Sequence, residues 1–257
     1  MDKPKEEKLS FTAHLEELRR RLVFILIAVG IGFCACYAIK DWLFAVITRP
    51  LTMVLPQKSF MIFTNLPEAL FIYMKISFFA SLVLTSPYTL YQIWKFISPG
   101  LHPGEKRYVL PFVISSSLLF IGGVLFGYFL VLPPAFRFFV SFSSDFLKPM
   151  LSLKEYLSLS LKFLLGFGLS FELPVFIFFM TKIGLVNARM LSRGRRYAIL
   201  IIFIIAAILT PSPDAITQTL MAVPLIFLYE ISIIVARFAR KKRPEAEEIG
   251  EVKEESR

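Results

Sequence analysis

The sequence predicts an all-α integral membrane protein with six transmembrane helices, because apolar runs of spanning length alternate with short charged segments. The 257-residue chain is 56% hydrophobic and contains 28 phenylalanines, and its mean hydropathy is +0.67. A helix needs about 20 apolar residues to cross a hydrocarbon core of about 30 Å. The runs are Leu22–Ile39, Ile76–Trp94, Tyr108–Phe136, Phe163–Thr181, Tyr197–Pro213 and Ala215–Tyr229.

The choice between helices and a closed barrel follows from the pattern inside these runs. Lipid offers no hydrogen bonds to the backbone, so only these two structures can span it. Barrel strands show about 10 residues of alternating polarity, whereas a run such as Leu22–Val29 is apolar throughout. Helices are therefore predicted.

The lysines and arginines lie mainly on one side of the predicted membrane. Most of the 29 fall before the first run, between the second and third, between the fourth and fifth, or after the sixth. The opposite loops hold Lys40, Arg49, Lys58, Arg137 and Lys148. Because positive residues stay on the cytoplasmic side, both termini are predicted to be cytoplasmic. The net charge of +10 is thus interpreted as a topology signal in the bilayer and not as a nucleic-acid surface.

The first third of the chain is predicted to hold an amphipathic cytoplasmic lead at residues 1–21, one helix, and an outer loop at residues 42–67. The loop is apolar, contains Pro50, and is expected to cap helix ends, since a free loop would be more polar. Three arginines before an apolar run resemble an export signal. Because no cleavage site and five further runs follow, the segment is interpreted as a retained anchor.

Prolines are expected to break, end or bend three of the predicted helices. The second helix is expected over residues 68–97 with a break at Pro87, and the third is expected to stop at the doublet Pro133-Pro134. The fourth carries Pro174, which frees a backbone carbonyl one turn earlier and is expected to bend the helix.

The fifth apolar run is unusually short. From Tyr197 to Thr210 it offers only about 21 Å of α-helix, so the bilayer must thin or neighbouring helices must cover the gap. The turn Thr210–Asp214 then reverses the chain into a hairpin, in which Asp214 is a candidate helix cap. Residues 22–237 are predicted to form the transmembrane domain, and the charged residues 238–257 a disordered tail.

One acid, Glu172, falls inside the fourth run. An ionised carboxylate at that depth costs a few kcal/mol unless it meets a partner or water. Two interpretations stay open, a structural pair with a neighbouring helix or a water-filled or partner-filled concavity within the membrane.

Three further acids, Glu16, Glu17 and Glu105, stand on the basic side of the chain. Sequence physics alone favours local ion pairs, such as Glu17 with Arg20 or Arg21. Exposed carboxylates could also bind a cationic ligand, and arginine makes two parallel bonds to such a group.

Polar residues near the last turn could join helices. Thr210 and Gln218 flank this turn and are candidates for contact with a partner helix. The sequence contains no Gly-rich phosphate loop, no nucleophile–base pairing and only two histidines, His14 and His102. It therefore gives no support for an ATPase, a hydrolase, a metal site or a bound cofactor.

Several strings together resemble the TatC family, the multispanning receptor subunit of the twin-arginine protein translocase. Their order and spacing match over about residues 9–240, and the opening string is the most specific. The strings are His14–Leu22 (HLEELRRRL), Tyr91–Leu101 (YQIWKFISPGL), Glu105–Arg107 (EKR), Ser170–Pro174 (SFELP) and Leu209–Asp214 (LTPSPD).

The resemblance implies six helices in a cupped shape, in the cell inner membrane, with both termini inside. It implies a receptor for the twin-arginine signal peptides of folded precursors, which assembles with single-span subunits of the TatA/TatB type into hetero- and homo-oligomers and uses the proton gradient. The family's signal contacts correspond to Glu17 and Glu105, with Arg19 and Phe96 in support.

Three other positions receive roles from the same resemblance. Glu172 would face the concave side, and Thr210 and Gln218 would belong to the docking site for single-span partners. Many relatives have Thr-Pro-Pro-Asp at the last turn, and this chain has one residue more, which leaves the role of Asp214 open.

Two other classes of function are alternatives to the receptor. A small-solute secondary transporter would use Glu172 as a proton site, but such proteins usually contain inverted repeats, and the only repeat here is weak and parallel. A membrane-embedded enzyme is disfavoured, because no catalytic constellation is present in the sequence.

Overall fold

The computed structural model describes residues 11–55, 61–62, 65, 67–97, 109–142, 151–210 and 215–239. These residues form ten α-helices, one π-helical turn and two short strands. The helices are α1 (Phe11–Ala38), α2 (Lys40–Thr52), α3 (Glu68–Ile97), α4 (Val109–Phe126), α5 (Leu132–Val140), α6 (Leu153–Ser170), α7 (Leu173–Lys182), α8 (Ala188–Arg193), α9 (Arg195–Leu209) and α10 (Ala215–Ala239). The strands β1 (Met61–Ile62) and β2 (Leu151–Ser152) pair in parallel.

The described part of the chain contains five helical segments that are long and apolar enough to cross a membrane, which confirms the all-α membrane class. They are Ala13–Ala38, Glu68–Ile97, Val109–Val140, Leu153–Lys182 and Ala215–Ala239. The remaining predicted span is α9, whose 15 residues extend only about 22 Å. The count of six spans therefore stays a prediction.

The predicted outer loop at residues 42–67 is wrong over its first part, because that part is the helix α2. One face of α2 buries Ile47 and Leu51 against the core. Pro50 lies inside the helix and cannot donate to the carbonyl of Val46. The Tyr128 hydroxyl donates to that carbonyl instead, at 2.7 Å. The buried face of α2 shows that the first part of this segment packs on the core, and the cap over the helix ends otherwise stays a prediction.

Two predicted proline breaks are also wrong. The helix α3 continues through Pro87, and the carbonyl of Val83 that this proline frees accepts a hydrogen bond from the Ser86 hydroxyl at 2.8 Å. The doublet Pro133-Pro134 does not end its helix. It occupies the first turn of α5, directly after the π-helical turn Gly127–Val131, where the missing N–H groups cost little.

The helix is interrupted just before Pro174, where the sequence predicts a bend. Helix α6 ends at Ser170 and α7 begins at Leu173, so the break comprises Phe171 and Glu172. The amide N–H of Glu172 donates to the carbonyl of Leu169 at 3.1 Å, which closes a tight turn. The acid therefore stands at an interruption of the helix and not along its regular side.

Helix α6 lies at the centre of the packing. Its Phe163 and Phe167 are fully buried among side chains that include Leu132 and Met221. Gly123 of α4 lies so near that a Cβ atom there would be 2.6 Å from the Phe167 carbonyl oxygen. Such close approach of backbones is typical of small residues between membrane helices.

A second cluster joins the end of α3, the start of α4 and α7. The Trp94 ring stacks on Phe112 at 4.9 Å and meets Phe179 edge-on, also at 4.9 Å. Val113 and Val175 complete this buried set. It fixes the end of α3 that carries the candidate functional residues.

Candidate functional site

A cavity of about 480 Å³ opens where α1 begins and α3 ends. We call it the α1/α3 pocket, and its lining is Ala13, Glu16, Glu17, Arg20, Arg21, Phe24, Gln92 and Lys95. The two helices are closely packed, since a Cβ atom on Gly32 would lie 2.9 Å from Cγ2 of Thr85. The lining contains two acids and three bases, so a cationic ligand would meet mixed charge there.

Glu17 is held in the pocket by Arg21. Nε of Arg21 donates to Oε1 of Glu17 at 3.0 Å, and a second guanidinium nitrogen donates to the same oxygen. Both side chains are largely buried, with 14% of Arg21 and 27% of Glu17 exposed. The local ion pair expected from the i,i+4 spacing is confirmed.

The same guanidinium connects the two helices. Nη1 of Arg21 donates to Oε1 of Gln92 at 3.2 Å, and Nε2 of Gln92 donates to the Tyr88 hydroxyl at 2.7 Å. A short polar relay therefore runs from Glu17 on α1 to Tyr88 on α3. Charge-assisted hydrogen bonds of this kind are the stronger ones, and they hold the carboxylate at a defined place.

Phe96 and Arg19, which the resemblance also predicts to contact the signal, do not line the α1/α3 pocket. Phe96 stacks on His14 with ring centroids 4.5 Å apart and planes inclined by 20°, so it lies beside the first turns of α1. Arg19 is exposed and is not part of the pocket lining. Glu105 lies outside the described residues, so its contact with the signal stays a prediction.

Basic side chains at the pocket rest on aromatic rings. The guanidinium carbon of Arg20 lies 5.6 Å from the Phe24 centroid, and Nζ of Lys95 lies 5.4 Å from the Tyr91 centroid. Cation–π contacts of this length are favourable and keep both cations at the pocket edge.

Glu172 joins a second relay, which connects three helical segments. Nε1 of Trp94 donates to Oγ of Ser116 at 3.2 Å, and the Ser116 side chain lies close to the Glu172 carboxyl. Oε1 of Glu172 is buried and, among the described residues, has no hydrogen-bond partner. The structure thus gives this acid a neutral partner on a neighbouring helix and leaves one oxygen unpaired.

Thr210 and Gln218, predicted to contact a partner helix, both make hydrogen bonds within this chain. The Thr210 hydroxyl donates to the carbonyl of Ala206 at 2.9 Å. Nε2 of Gln218 donates to the carbonyl of Phe203, also at 2.9 Å, and so ties α10 to α9. Asp214 lies outside the described residues, so its capping role stays a prediction.

Within the described ranges, no three or more of the His, Cys, Asp and Glu side chains are grouped closely enough to hold a metal ion. The groups that carry the chemistry are therefore carboxylates, guanidinium groups and aromatic rings.

Comparison with known proteins identifies the family. The family model TatC, described as Sec-independent protein translocase protein, matches residues 13–224. The chain belongs to the TatC family. The TatC protein of Desulforapulum autotrophicum is 51% identical over 247 residues, which cover 96% of this chain and 91% of that relative. The TatC protein of Aquifex aeolicus is 39% identical and is covered over 98% of its length.

The fold agrees with solved structures of the family. A crystal structure described as the twin arginine translocase receptor TatC superposes with a TM-score of 0.80 at 39% identity, covering 88% of this chain and 99% of that one. With its apolar helices, membership of the TatC family makes this chain a multi-pass membrane protein of a protein-transport family. It favours the translocase interpretation over the solute transporter and the membrane enzyme.

Sequence reasoning did not predict the part of the α1/α3 pocket that α3 contributes. Gln92 and Tyr88 were not singled out, although a glutamine with a tyrosine one turn earlier, in an otherwise apolar helix, is a usable signal of a polar contact. The role of Arg21 was seen only as a possible ion-pair partner. Its bond to α3 depends on tertiary packing, which spacing along α1 does not reveal.

Proposed function

We propose that the chain is the receptor and core subunit of a Sec-independent translocase, which binds the twin-arginine signal peptides of folded precursors. It assembles the translocation site with single-span subunits of the TatA/TatB type, and the proton gradient drives transport. Family membership supports the translocase assignment. The solved neighbour is described as a twin arginine translocase receptor, which supports the receptor role.

The observation that carries the proposal is a guanidinium already bound to Glu17. Arg21 demonstrates that this carboxylate accepts an arginine fork. Both bonds use Oε1, whereas a carboxylate offers about four acceptor positions over its two oxygens. An incoming signal arginine takes free acceptor positions on this carboxylate and lengthens or replaces the Arg21 bonds, and Glu105 would bind the other signal arginine.

Mixed charge in the pocket supplies selectivity. Because Arg20 and Lys95 line the same cavity, a cation without the right geometry is repelled as well as attracted. Arginine forms two parallel bonds to a carboxylate and lysine does not. The pocket should therefore prefer twin arginine over twin lysine, and Phe96 with His14 gives an aromatic surface beside it. Arg19 would contribute from the exposed side of α1.

The proposed placement is the inner membrane with six spans and both termini in the cytoplasm. The excess of basic residues on one side supports this orientation, and it places the α1/α3 pocket where precursors arrive. In this arrangement residues 1–21 are the cytoplasmic lead, residues 22–237 the membrane domain and residues 238–257 the tail. Glu172 faces the concave side of the cup.

The α9–α10 hairpin is the proposed docking site for single-span partners. Helix α9 exposes Leu200, Ile204 and Ile208, which repeat every four residues and form an apolar stripe. Gln218 donates its amide nitrogen to α9 within the chain, and we propose that its amide oxygen accepts a hydrogen bond from a partner helix. Because α9 is too short to cross a bilayer of ordinary thickness, a partner helix docked on it would lie where the bilayer is thinned.

Crosslinking of a signal peptide tests the receptor role. Glu17→Gln and Glu105→Gln should each reduce photocrosslinking of a twin-arginine peptide to the purified chain more than that of a twin-lysine peptide. Glu155→Gln is the matched control, since Glu155 is an exposed acid in the first turn of α6. Undiminished crosslinking by the Glu17/Glu105 double variant would refute the proposal.

A further inference from the structure

A second polar cavity, of about 550 Å³, lies where α8 meets the end of α10. We call it the arginine pocket, and its lining is Asn187, Ala188, Arg189, Ser192, Arg193 and Arg237. It is distinct from the α1/α3 pocket and shares no lining residue with it. Among the described residues, three guanidinium groups line it and no carboxylate does, so this lining is suited to an anion.

The walls of the arginine pocket are fixed by hydrogen bonds. The Asn187 side chain accepts from the amide N–H of Met190 at 2.8 Å and caps α8. The Tyr229 hydroxyl donates to the carbonyl of Leu191, also at 2.8 Å, and ties α8 to α10. The cavity is therefore held between two connected elements.

The nearby acid is already engaged. Glu230 of α10 forms an ion pair with Arg195 at 2.8 Å, so its charge is directed at a residue outside the lining. Among the described residues that line the cavity, the three arginines therefore leave a net positive potential.

Large exposed apolar side chains neighbour the arginines in the sequence. Met190 and Phe238 adjoin Arg189 and Arg237 in sequence and are 55% and 85% exposed, and Leu185, just before α8, is 67% exposed. None of the residues of α8 is buried. Cations alternating with exposed apolar groups are typical of segments that lie at a membrane surface. A free anion would use only the cations of such a surface.

We infer that the arginine pocket binds the phosphate of an anionic membrane phospholipid, with the adjoining apolar side chains against its acyl chains. Basic pockets beside transmembrane helices are suited to such headgroups, and arginine forks match two phosphate oxygens. The bound lipid would anchor α8 and the end of α10 at the bilayer surface. This inference does not depend on signal-peptide binding, which uses the other pocket.

Native mass spectrometry of the full-length chain in detergent, with added phosphatidylglycerol or phosphatidylcholine, tests it. The wild type should retain phosphatidylglycerol in preference to phosphatidylcholine, because only the former has net charge. The triple variant R189Q/R193Q/R237Q should lose that retention by at least about tenfold, since three cation contacts disappear. The Arg→Lys triple variant should retain an intermediate amount, which also shows that a variant with this surface folds.

A matched control removes the same charge elsewhere. R49Q/R137Q/K162Q changes three exposed cations outside the arginine pocket and should retain phosphatidylglycerol as the wild type does. Equal retention by wild type and R189Q/R193Q/R237Q, or an equal loss in the control, would overturn the inference. Displacement of the lipid by equimolar inorganic phosphate or by a polyglutamate peptide would also overturn it, in favour of a free anion or an acidic protein segment.

Discussion

Removing Arg21 should strengthen the binding of a twin-arginine peptide. In the structure Arg21 occupies the carboxylate that the signal is proposed to use, and it adds one positive charge to the pocket lining. Arg21→Gln therefore frees Glu17 and lowers the repulsion of an incoming dication. Both effects should increase the affinity for the peptide.

The magnitude follows from the burial of the pair. Hydrogen bonds to charged groups contribute about 1.5–3 kcal/mol when buried, and exposed pairs about 0–1 kcal/mol. With 14% of Arg21 and 27% of Glu17 exposed, an intermediate contribution of about 1 kcal/mol is expected. Arg21→Gln should then lower the Kd for the peptide by about fivefold.

Fluorescence anisotropy of a labelled twin-arginine peptide on the purified chain measures this change. Arg20→Gln is the control, since it removes one charge from the same lining without touching the Glu17–Arg21 pair. The gain in affinity should be larger for Arg21→Gln and should vanish when Glu17→Gln is added. Weaker binding by Arg21→Gln, or a change no larger than that of Arg20→Gln, would refute displacement.

Three further outcomes are expected elsewhere in the chain. Gly123→Ala should destabilise the fold by about 1–3 kcal/mol, because the added Cβ would lie 2.6 Å from the Phe167 carbonyl oxygen. The control is Gly122→Ala, since a Cβ at Gly122 has open space around it. Equal thermal unfolding of the two variants would contradict the packing argument. Gln218→Leu should reduce co-purification of single-span subunits, measured by quantitative immunoblotting, and unchanged recovery would exclude the amide as a docking group. Glu172→Gln should leave the unfolding temperature equal or higher, because the amide keeps a hydrogen-bonding group and removes a charge that lipid disfavours; a marked drop would indicate an ionised pair.

The membrane class and the helix ends around residues 68–97 could be predicted because spanning length and hydropathy are local properties. The course of the chain at Pro87 and at Pro133-Pro134 could not be predicted from such local properties. Pro87 stays within α3 since the neighbouring Ser86 takes the freed carbonyl, and the Pro133-Pro134 doublet is accommodated by a π-helical turn. In both places the outcome depends on which group satisfies a backbone carbonyl.

The candidate site was predicted only in part for a similar reason. The acid Glu17 and its pairing with Arg21 follow from helical spacing, whereas Gln92 belongs to the site only because α1 packs against α3. The resemblance to a family directed attention to Phe96, and the structure adds its stacking on His14. No spacing rule predicts such a contact across 82 residues of chain.

The most direct measurement is a structure of the full-length chain with a bound twin-arginine peptide. The account predicts a peptide guanidinium nitrogen at about 3 Å from a Glu17 carboxylate oxygen, with the bond between Arg21 and Glu17 lengthened or replaced. A bound peptide whose arginines contact neither Glu17 nor Glu105, beside an intact Glu17–Arg21 pair, would contradict it.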